Sequence, residues 1–180
     1  MNKNLYEQFR TKKPRYPKMY EESVIKKLAA KGTDSGTHQD TYERGKFFYN
    51  LYQCYIYAAF IGIRLNKRQP FDKKDGKDFA EIFWWESTAK DIVKYLFTGL
   101  VALSDKSLMD IQEMDDDKDI NDYANELVND LEEYAAAGFQ ELYERLESNP
   151  HAFQDEFAAM NFLFDLENAP EHAANVVETL

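Results

Sequence analysis

The chain has 180 residues and a net charge of −11, and it contains 13 Phe, 12 Tyr and 2 Trp but only 7 Gly and 5 Pro. Its length suffices for one domain with a single core, and the scarcity of Gly and Pro argues against an all-β fold with many turns. A lone cysteine, Cys54, excludes an internal disulfide, and no secretory signal or membrane-spanning stretch is recognisable, so we expect a cytoplasmic protein without a membrane partner.

The first third of the chain is predicted to contain an arm and two helices. Residues 1–17 include Pro14 and Pro17 and are expected to form a basic, partly extended arm that packs only in part. A helix over about residues 19–31 and a polar loop at residues 33–40 follow. The next helix, at about residues 41–63, includes residues 47–61, where all side chains except Asn50 and Gln53 are apolar or aromatic. A helix that is apolar on nearly every side is expected at the centre of the core.

The middle of the chain alternates between charged loops and helices. Residues 66–78 are a charged loop broken at Pro70 and Gly76, and residues 79–85 are too short to distinguish a strand from a helical turn. A helix is predicted to begin near Ser87. Its apolar positions have helical spacing: Ile92, Val93, Leu96, Phe97, Leu100, Val101 and Leu103.

The last third is predicted to be helical as well. After a loop at residues 104–118, the longest helix spans about residues 119–147 and ends before Pro150. A last helix, at about residues 152–167, has apolar residues on one face: Phe153, Phe157, Met160 and Phe164. The order of elements predicts an all-α fold, a single-domain bundle of about five helices at residues 18–168 with one short strand or turn near residues 79–85. Residues 169–180 are expected to be a C-terminal tail.

An acidic segment at residues 115–126 has part of the pattern of a calcium loop. Asp115, Asp117, Asp119 and Glu126 occupy the positions of oxygen ligands in an EF-hand, but Ile120 stands where such a loop normally has Gly. Acidic residues are also typical of a helix start, where they meet the positive end of the helix dipole. We favour the helix start and predict no metal and no other cofactor.

No convincing catalytic group is recognisable in the sequence. His151 and Asp155 are spaced as two potential metal ligands, but two ligands do not make a site. Nucleophilic catalysis requires Ser or Cys beside a base, and Cys54 has no neighbouring His. A triad assembled from distant residues stays open. We therefore predict no catalytic residue and keep an enzyme as the last alternative.

Charge separates the two ends of the chain. Residues 1–31 contain nine Lys/Arg and three Asp/Glu, whereas residues 105–180 contain three Lys/Arg and 21 Asp/Glu. Basic residues among aromatic rings suit contacts with a nucleic-acid backbone and stacking on its bases. The candidates for such contacts in the arm are Arg10, Lys12, Lys13, Arg15 and Tyr16. The loop from Arg64 to Lys77 is a second basic group.

Residues 62–71, with the sequence GIRLNKRQPF, are predicted to leave the central helix as a turn. Gly62 would relax the helix end, and Pro70 would prevent the chain from continuing as helix. We predict that this turn binds a protein partner through Arg64, Lys67 and Arg68. The alternative is that Arg64 and Arg68 pair with the acidic half of their own chain, for instance near Glu132 or Glu133.

Three blocks carry a family resemblance. They are AAFIGIRLNKRQPFDKKD at residues 58–75, LFTGLVALSD at residues 96–105 and LEEYAAAGFQELYERL at residues 131–146. Their order resembles the small DNA phosphorothioation (Dnd) system-associated proteins of bacteria, over about residues 47–146. The chain has Ala137 where the resembling proteins typically have Asn before Gly, which puts a polar role at that position in doubt.

The resemblance implies a function linked to a biological system. Such proteins are encoded beside DNA-modification and restriction genes that act against phage, and the resemblance implies no established catalytic activity. We therefore predict a non-catalytic accessory or adaptor subunit of this anti-phage system, with other subunits of the system as partners. The alternatives are a nucleic-acid-binding regulator that uses the basic arm and loop, or an acidic mimic of DNA.

One prediction about the core completes the sequence-based account. Four residues from the later helices are expected to pack with the apolar helix of residues 47–61 in one core: Leu96, Leu100, Leu131 and Tyr134. Leu96 and Leu100 belong to the apolar positions of one predicted helix, and Leu131 and Tyr134 belong to the apolar stripe of another.

Overall fold

The computed structural model describes residues 4–30, 46–155 and 157–167 of the chain. Over these residues the fold is mainly helical, with a small antiparallel pair of strands, which confirms the predicted all-α class. The elements are, in chain order, helix α1 (Leu5–Arg10), strand β1 (Arg15–Pro17), a π-helix (Glu21–Ile25), α2 (Lys26–Leu28), α3 (Leu51–Arg64), a 3-10 helix (Lys73–Asp75), β2 (Gly76–Asp78), α4 (Ile82–Leu103), α5 (Leu108–Gln112), α6 (Asp117–Ser148) and α7 (Ala158–Glu167). The predicted loop at residues 33–40, the predicted helix start at residues 41–45 and the tail at residues 169–180 lie outside the described residues.

The centre of the fold is the crossing of α3 and α6. A Cβ atom added at Gly62 of α3 would lie 2.0 Å from the carbonyl oxygen of Tyr134, and one added at Gly138 of α6 would lie 1.8 Å from the carbonyl oxygen of Ala58. Ala58 and Gly62 are one helical turn apart on α3, as are Tyr134 and Gly138 on α6. The two backbones therefore touch at two successive turns, which only glycine permits.

Around this crossing lies one hydrophobic core. Leu96 and Leu100 of α4 and Leu131 and Tyr134 of α6 are buried in the same cluster as the inner residues of α3, which confirms the predicted core. Aromatic rings fill much of this space. The ring of Tyr55 lies 5.1 Å from the ring of Trp85 and 5.7 Å from the ring of Phe139, within the range of favourable aromatic pairs.

The N-terminal segment is more ordered than the predicted arm. Residues 5–10 form α1. Its N-cap is Asn4, whose side chain accepts the Tyr6 N–H at 2.9 Å. Phe9 of α1 is fully buried and its ring centroid lies 5.2 Å from that of Phe97. Both prolines follow this helix instead of interrupting it, and β1 then pairs with β2, with Tyr16 opposite Lys77. Burial of one aromatic side chain thus holds a short helix that local sequence does not indicate.

Two predicted helix starts differ from the observed ones. The described part of the helix predicted at residues 41–63 begins at Leu51, because Asn50 has extended backbone angles and its side chain accepts the Gln53 N–H at 2.9 Å. Phe48 instead bonds to the chain near Ala29 as an isolated bridge. The helix predicted from Ser87 lies within α4, which begins at Ile82, but the backbone of Ala89 is non-helical (φ −145°, ψ 36°) and divides α4 into two helical segments at a kink. The Ser87 hydroxyl donates to the carbonyl oxygen of Trp84 in the first segment.

The last helix presents its aromatic residues differently from the predicted face. Phe153 precedes α7 and is buried, whereas Phe157, Met160 and Phe164 are about half exposed. Phe162 is the buried aromatic residue of α7. Among the described residues, no helix is long and apolar enough to cross a bilayer.

Candidate functional site

The predicted basic turn follows α3, and its backbone is fixed by a helix-ending motif. Lys67 N–H donates to the carbonyl oxygen of Gly62 at 2.9 Å, and Asn66 N–H donates to that of Ile63 at 3.0 Å. Asn66 has φ 48°, in the left-handed region that Asn tolerates better than most residues. The helix thus ends at Arg64, with Leu65 as its C-cap and Asn66 as the first residue beyond the cap. The predicted role of Gly62 in relaxing the helix end is wrong, because Gly62 lies inside α3 and serves the contact with α6.

The side chains of this turn lie on the acidic face of α6. Lys67 Nζ is 2.8 Å from a carboxylate oxygen of Glu141, and Arg68 Nε is 2.8 Å from one of Glu133. Arg68 also pairs with Asp130, and its guanidinium lies 5.6 Å from the centre of the Tyr134 ring. These contacts match the alternative of internal pairing for Arg68.

The same basic side chains are still accessible to solvent. The side chains of Lys67 and Arg68 are 52% and 44% exposed, and Arg64, the last residue of α3, is exposed as well. Exposed ion pairs contribute only about 0–1 kcal/mol each, so exchanging such a carboxylate for that of another protein costs little. Contact of Arg64, Lys67 and Arg68 with a partner therefore stays a prediction.

Burial and charge act in opposite directions on the ionisable groups beneath the turn. Burial raises the pKa of Asp130 despite the opposing effect of the nearby Arg68 guanidinium. Burial alone would lower the pKa of Arg68, but the charges of Asp130 and Glu133 outweigh it and the pKa is raised. Burial also raises the pKa of Glu132, whose side chain accepts the Arg15 N–H at 2.8 Å and so attaches β1 to α6.

The basic residues of the N-terminal segment have polar partners within the chain. Arg10 pairs with Glu86 and with Glu7, Lys12 Nζ donates to Asn121 at 2.6 Å, Lys13 Nζ lies 3.5 Å from Glu81, and Arg15 Nε lies 2.7 Å from Asp78. Tyr16, the aromatic residue predicted to stack on a base, is buried with 5% exposure. Much of the positive charge proposed for nucleic-acid contact is thus balanced locally by the protein's own side chains.

Helix α4 exposes a row of large apolar side chains that the sequence did not reveal as a surface. We call it the α4 apolar face, and it consists of Trp84, Ile92, Tyr95 and Leu103, which are 56%, 47%, 74% and 47% exposed. After the kink at Ala89, Ile92, Tyr95 and Leu103 fall within a sector of roughly 80° at 100° per residue, whereas Trp84 lies on the helical segment before the kink. The buried residues Val93, Leu96 and Leu100 lie beside that sector and face the core.

The sequence held an indirect signal for this face. Ile92 and Leu103 appeared among the apolar positions of the predicted helix without distinction from those that pack inward. Together with Trp84 and Tyr95, those positions cover more of the helix circumference than a single buried face requires. Next along the chain, α5 exposes Leu108 and Met109, which are 74% and 70% exposed.

The acidic segment at residues 115–126 forms the start of α6. Asp116 is the N-cap and accepts the Lys118 N–H at 3.0 Å, and Asp117 and Asp119 lie in the first turn. Carboxylates at these positions satisfy free backbone N–H groups and meet the positive end of the helix dipole. Among the residues that the structure describes, no group of three or more His, Cys, Asp or Glu could hold a metal ion.

Two further candidates for chemistry lie among the described residues, His151 and Cys54. Nδ1 of His151 lies 2.7 Å from the amide nitrogen of Gln154 and not beside Asp155. Cys54 is fully buried, and burial raises the pKa of its thiol, which disfavours the reactive thiolate. His38 and His172 lie outside the described residues.

Comparison with known proteins adds a family assignment. A family model described as DNA sulphur modification system-associated protein 4 matches residues 21–174, which is most of the chain. The match extends beyond the blocks noted in the sequence and includes the π-helix near the N-terminus and α7 near the C-terminus. No curated protein and no solved structure matches the chain.

Proposed function

The chain belongs to the DNA sulphur modification system-associated protein 4 family, and from this premise we propose that it is an accessory subunit of a bacterial DNA-modification system that defends against phage. In this proposal it acts by binding other protein subunits of the system and carries out no catalysis of its own. Family membership supports the link to the system. The nature of the contact is argued from the surface.

The observation that carries the proposal is the α4 apolar face. Exposed apolar residues scattered singly are normal, but several large ones presented by one element favour a protein-binding site. Trp and Tyr are enriched among the residues that dominate binding energy, because their rings bury a large area and lose little conformational entropy. Trp84 and Tyr95 supply such rings here.

The helix that carries this face is held firmly by the core. Leu96 and Leu100 anchor the middle of α4 and are 0% and 1% exposed. Gly99 lies on the outer side, where an added Cβ atom would meet nothing within 4 Å, so another helix could approach closely there. The segment of α4 after the kink, anchored by these two leucines, presents Ile92, Tyr95 and Leu103, which suits recognition in which little order has to be gained on binding.

The basic turn after α3 is a second element of the proposal. We propose that Arg64, Lys67 and Arg68 contact acidic residues of the partner and set orientation and association rate more than affinity. Their pairs with Asp130, Glu133 and Glu141 would be exchanged for carboxylates of the partner. The apolar face would then supply most of the binding energy.

Co-purification from cells that contain the complete modification system tests the proposal. The variant Trp84→Ser with Tyr95→Ser removes two exposed rings and should leave stability within about 0.5 kcal/mol, as for surface substitutions. We expect it to lose the system proteins that the unmodified chain captures. A matched control, Lys90→Ser with Lys94→Ser, changes two exposed residues of the same helix and should retain them. Full capture by the aromatic variant would contradict the proposal.

A mobility-shift assay at several salt concentrations separates this function from direct nucleic-acid binding. Phosphate contacts make affinity fall steeply with salt, by about one power of the salt concentration for each contact. Because Arg10, Lys13 and Arg15 already pair with carboxylates of the chain, we expect no shift at physiological salt. A tight shift with a steep salt dependence would favour the nucleic-acid-binding regulator instead.

A further inference from the structure

A cleft with a volume of about 700 Å³ lies between the π-helix, the start of α3 and the segment that follows β2. Ligand pockets in proteins have volumes of roughly 300–1,000 Å³, so this one has the size of a small-molecule site. Neither the α4 apolar face nor the basic turn contributes to its lining. It is therefore a feature separate from the proposed protein contact.

One side of the cleft is apolar and aromatic. Tyr52 and Phe79 line it with their ring centroids 5.7 Å apart and their planes at 87°. The ring of Tyr52 is also stacked on that of Trp85, with an interplanar angle of 16°. Ile25 and Leu51 complete this side. A planar aromatic group that enters the cleft would pack against the rings of Tyr52 and Phe79, whose orientations are fixed by their contacts with each other and with Trp85.

The other side of the cleft is rich in ammonium groups. Lys26, Lys46 and Lys77 line it, together with the carboxylates of Glu21 and Asp78. Asp78 already pairs with Arg15 at 2.7 Å. Among the described residues, Lys26 also pairs with Glu22, which lies outside the lining, so the three ammonium groups stand against the carboxylates of Glu21 and Glu22 with an excess of one positive charge.

Glu21 is the central group of this charged side. Its carboxylate lies 2.6 Å from Lys77 Nζ and 3.7 Å from Lys26 Nζ, so it holds two of the three ammonium groups together. The hydrogen bond from Lys77 lowers the pKa of Glu21, and the carboxylate is ionised at neutral pH. An anion that enters the cleft would compete with Glu21 for the same two ammonium groups.

The wall that carries Glu21 is itself unusual. Residues Glu21–Ile25 form a π-helix, a rare conformation that is found frequently at functional sites. It contributes Glu21 to the charged side of the cleft and Ile25 to the apolar side. The π-helix thus contributes both a charged and an apolar side chain to the cleft.

We propose that this cleft binds a small anionic molecule with a planar aromatic body, of the chemical class of a nucleoside monophosphate. The aromatic body packs against the sides of the Tyr52 and Phe79 rings that line the cleft. The anionic group lies between Lys26 and Lys77, where it displaces the carboxylate of Glu21. This site is independent of the proposed protein contact, and either proposal can fail without the other.

Titration of the full chain with adenosine monophosphate, followed by tryptophan fluorescence and by heteronuclear NMR, tests the site. Trp85 packs on Tyr52 and reports on occupancy of the aromatic side. We expect saturable binding of the nucleotide. Adenosine should bind about threefold to tenfold more weakly, because it lacks the charge contacts of the phosphate group. Inorganic phosphate alone should not reach saturation. Phosphate that binds as well as the nucleotide would exclude the aromatic subsite. Absence of saturation by the nucleotide at millimolar concentration in both readouts would overturn the proposal.

Two charge variants must shift the affinity in opposite directions. Lys77→Gln removes an ammonium group and should weaken binding by about threefold to tenfold, whereas Glu21→Gln removes the competing carboxylate and should strengthen it by about threefold. Tyr52→Ala should weaken binding by on the order of tenfold, the effect of one lost stacking ring. Lys90→Gln, on α4 and outside the cleft, is the control and should change nothing. If Lys77→Gln and Glu21→Gln act in the same direction or have no effect, the nucleotide binds elsewhere.

Discussion

Replacement of Gly138 by alanine is the most demanding test of the fold. The added Cβ atom would lie 1.8 Å from the carbonyl oxygen of Ala58 and 2.5 Å from its carbonyl carbon. Both atoms belong to the backbone of α3, so no side-chain rotation relieves the overlap. The helices would have to separate locally by roughly 1.5 Å to restore ordinary van der Waals distances.

The magnitude follows from two opposing effects. Overpacking of a core typically destabilises a protein by 1–3 kcal/mol. At Gly138 we expect about 3 kcal/mol or more, because the overlap is with backbone atoms that cannot rotate away. Alanine favours a helix over glycine by about 1 kcal/mol. The expected net loss is therefore about 2–4 kcal/mol, a large part of the roughly 5–15 kcal/mol that stabilises a typical domain.

Urea denaturation followed by circular dichroism measures this loss. Gly62→Ala meets the carbonyl oxygen of Tyr134 in the same way and should cost a similar amount. Because one separation of the helices relieves both overlaps, the double variant should cost less than the sum of the two single variants.

Gly99→Ala is the matched control for this experiment. Gly99 also lies in a helix, but an added Cβ atom there meets nothing within 4 Å. It should stabilise the protein by roughly 0.5–1 kcal/mol through helix propensity alone. If Gly138→Ala proved as stable as the unmodified protein, the close crossing of α3 and α6 would be refuted.

Three further predictions concern the core, a buried carboxylate and the basic turn. Leu100→Ala should cost roughly 2–5 kcal/mol in urea denaturation, and a cost below half a kcal/mol would show that this side of α4 is not packed. Glu132→Gln keeps an acceptor for the Arg15 N–H and removes a buried charge, so at pH 7 it should be at least as stable as the unmodified protein. Because the folded-state pKa of Glu132 is raised, this carboxyl group disfavours folding increasingly as pH rises from the ordinary glutamate pKa to the raised value. The advantage of Glu132→Gln in thermal melting should therefore shrink as pH falls through that window, and an advantage that does not change with pH would contradict the assignment. Arg68→Ala should lower the free energy of unfolding by less than about 1 kcal/mol, because the ion pairs of Arg68 are half exposed. The same variant should capture less of the partner proteins. A larger loss of stability with unchanged capture would make Arg68 a purely structural residue.

Elements with local signals were predictable from the sequence. The longest helix was expected at about residues 119–147 and spans Asp117–Ser148, because acidic residues mark its start and Asn149 precedes a proline at its end. The start of α3 was placed too early because Asn50, its N-cap, lies inside an apolar run that looks helical throughout. Helix α1 was missed because it depends on burying Phe9 against α4, a contact distant in sequence.

The candidate site was less predictable for the same physical reason. Pairing of Arg68 with Glu133 was anticipated as an alternative, but Asp130 and Glu141 were not named, since the facing residues depend on how α3 crosses α6. The period of α4 shows which residues share a face and not which face meets the core. Tyr95 and Leu103 could therefore be recognised as surface only in the folded protein.

Site-specific photo-crosslinking in cells with the complete modification system tests the central claim most directly. A photoreactive phenylalanine analogue in place of Tyr95 would lie in the middle of the α4 apolar face, and the same analogue in place of Lys90 is the control. The proposed function predicts a covalent adduct with another protein of the system from position 95 and none from position 90. No adduct from position 95, or equal adducts from both positions, would contradict it.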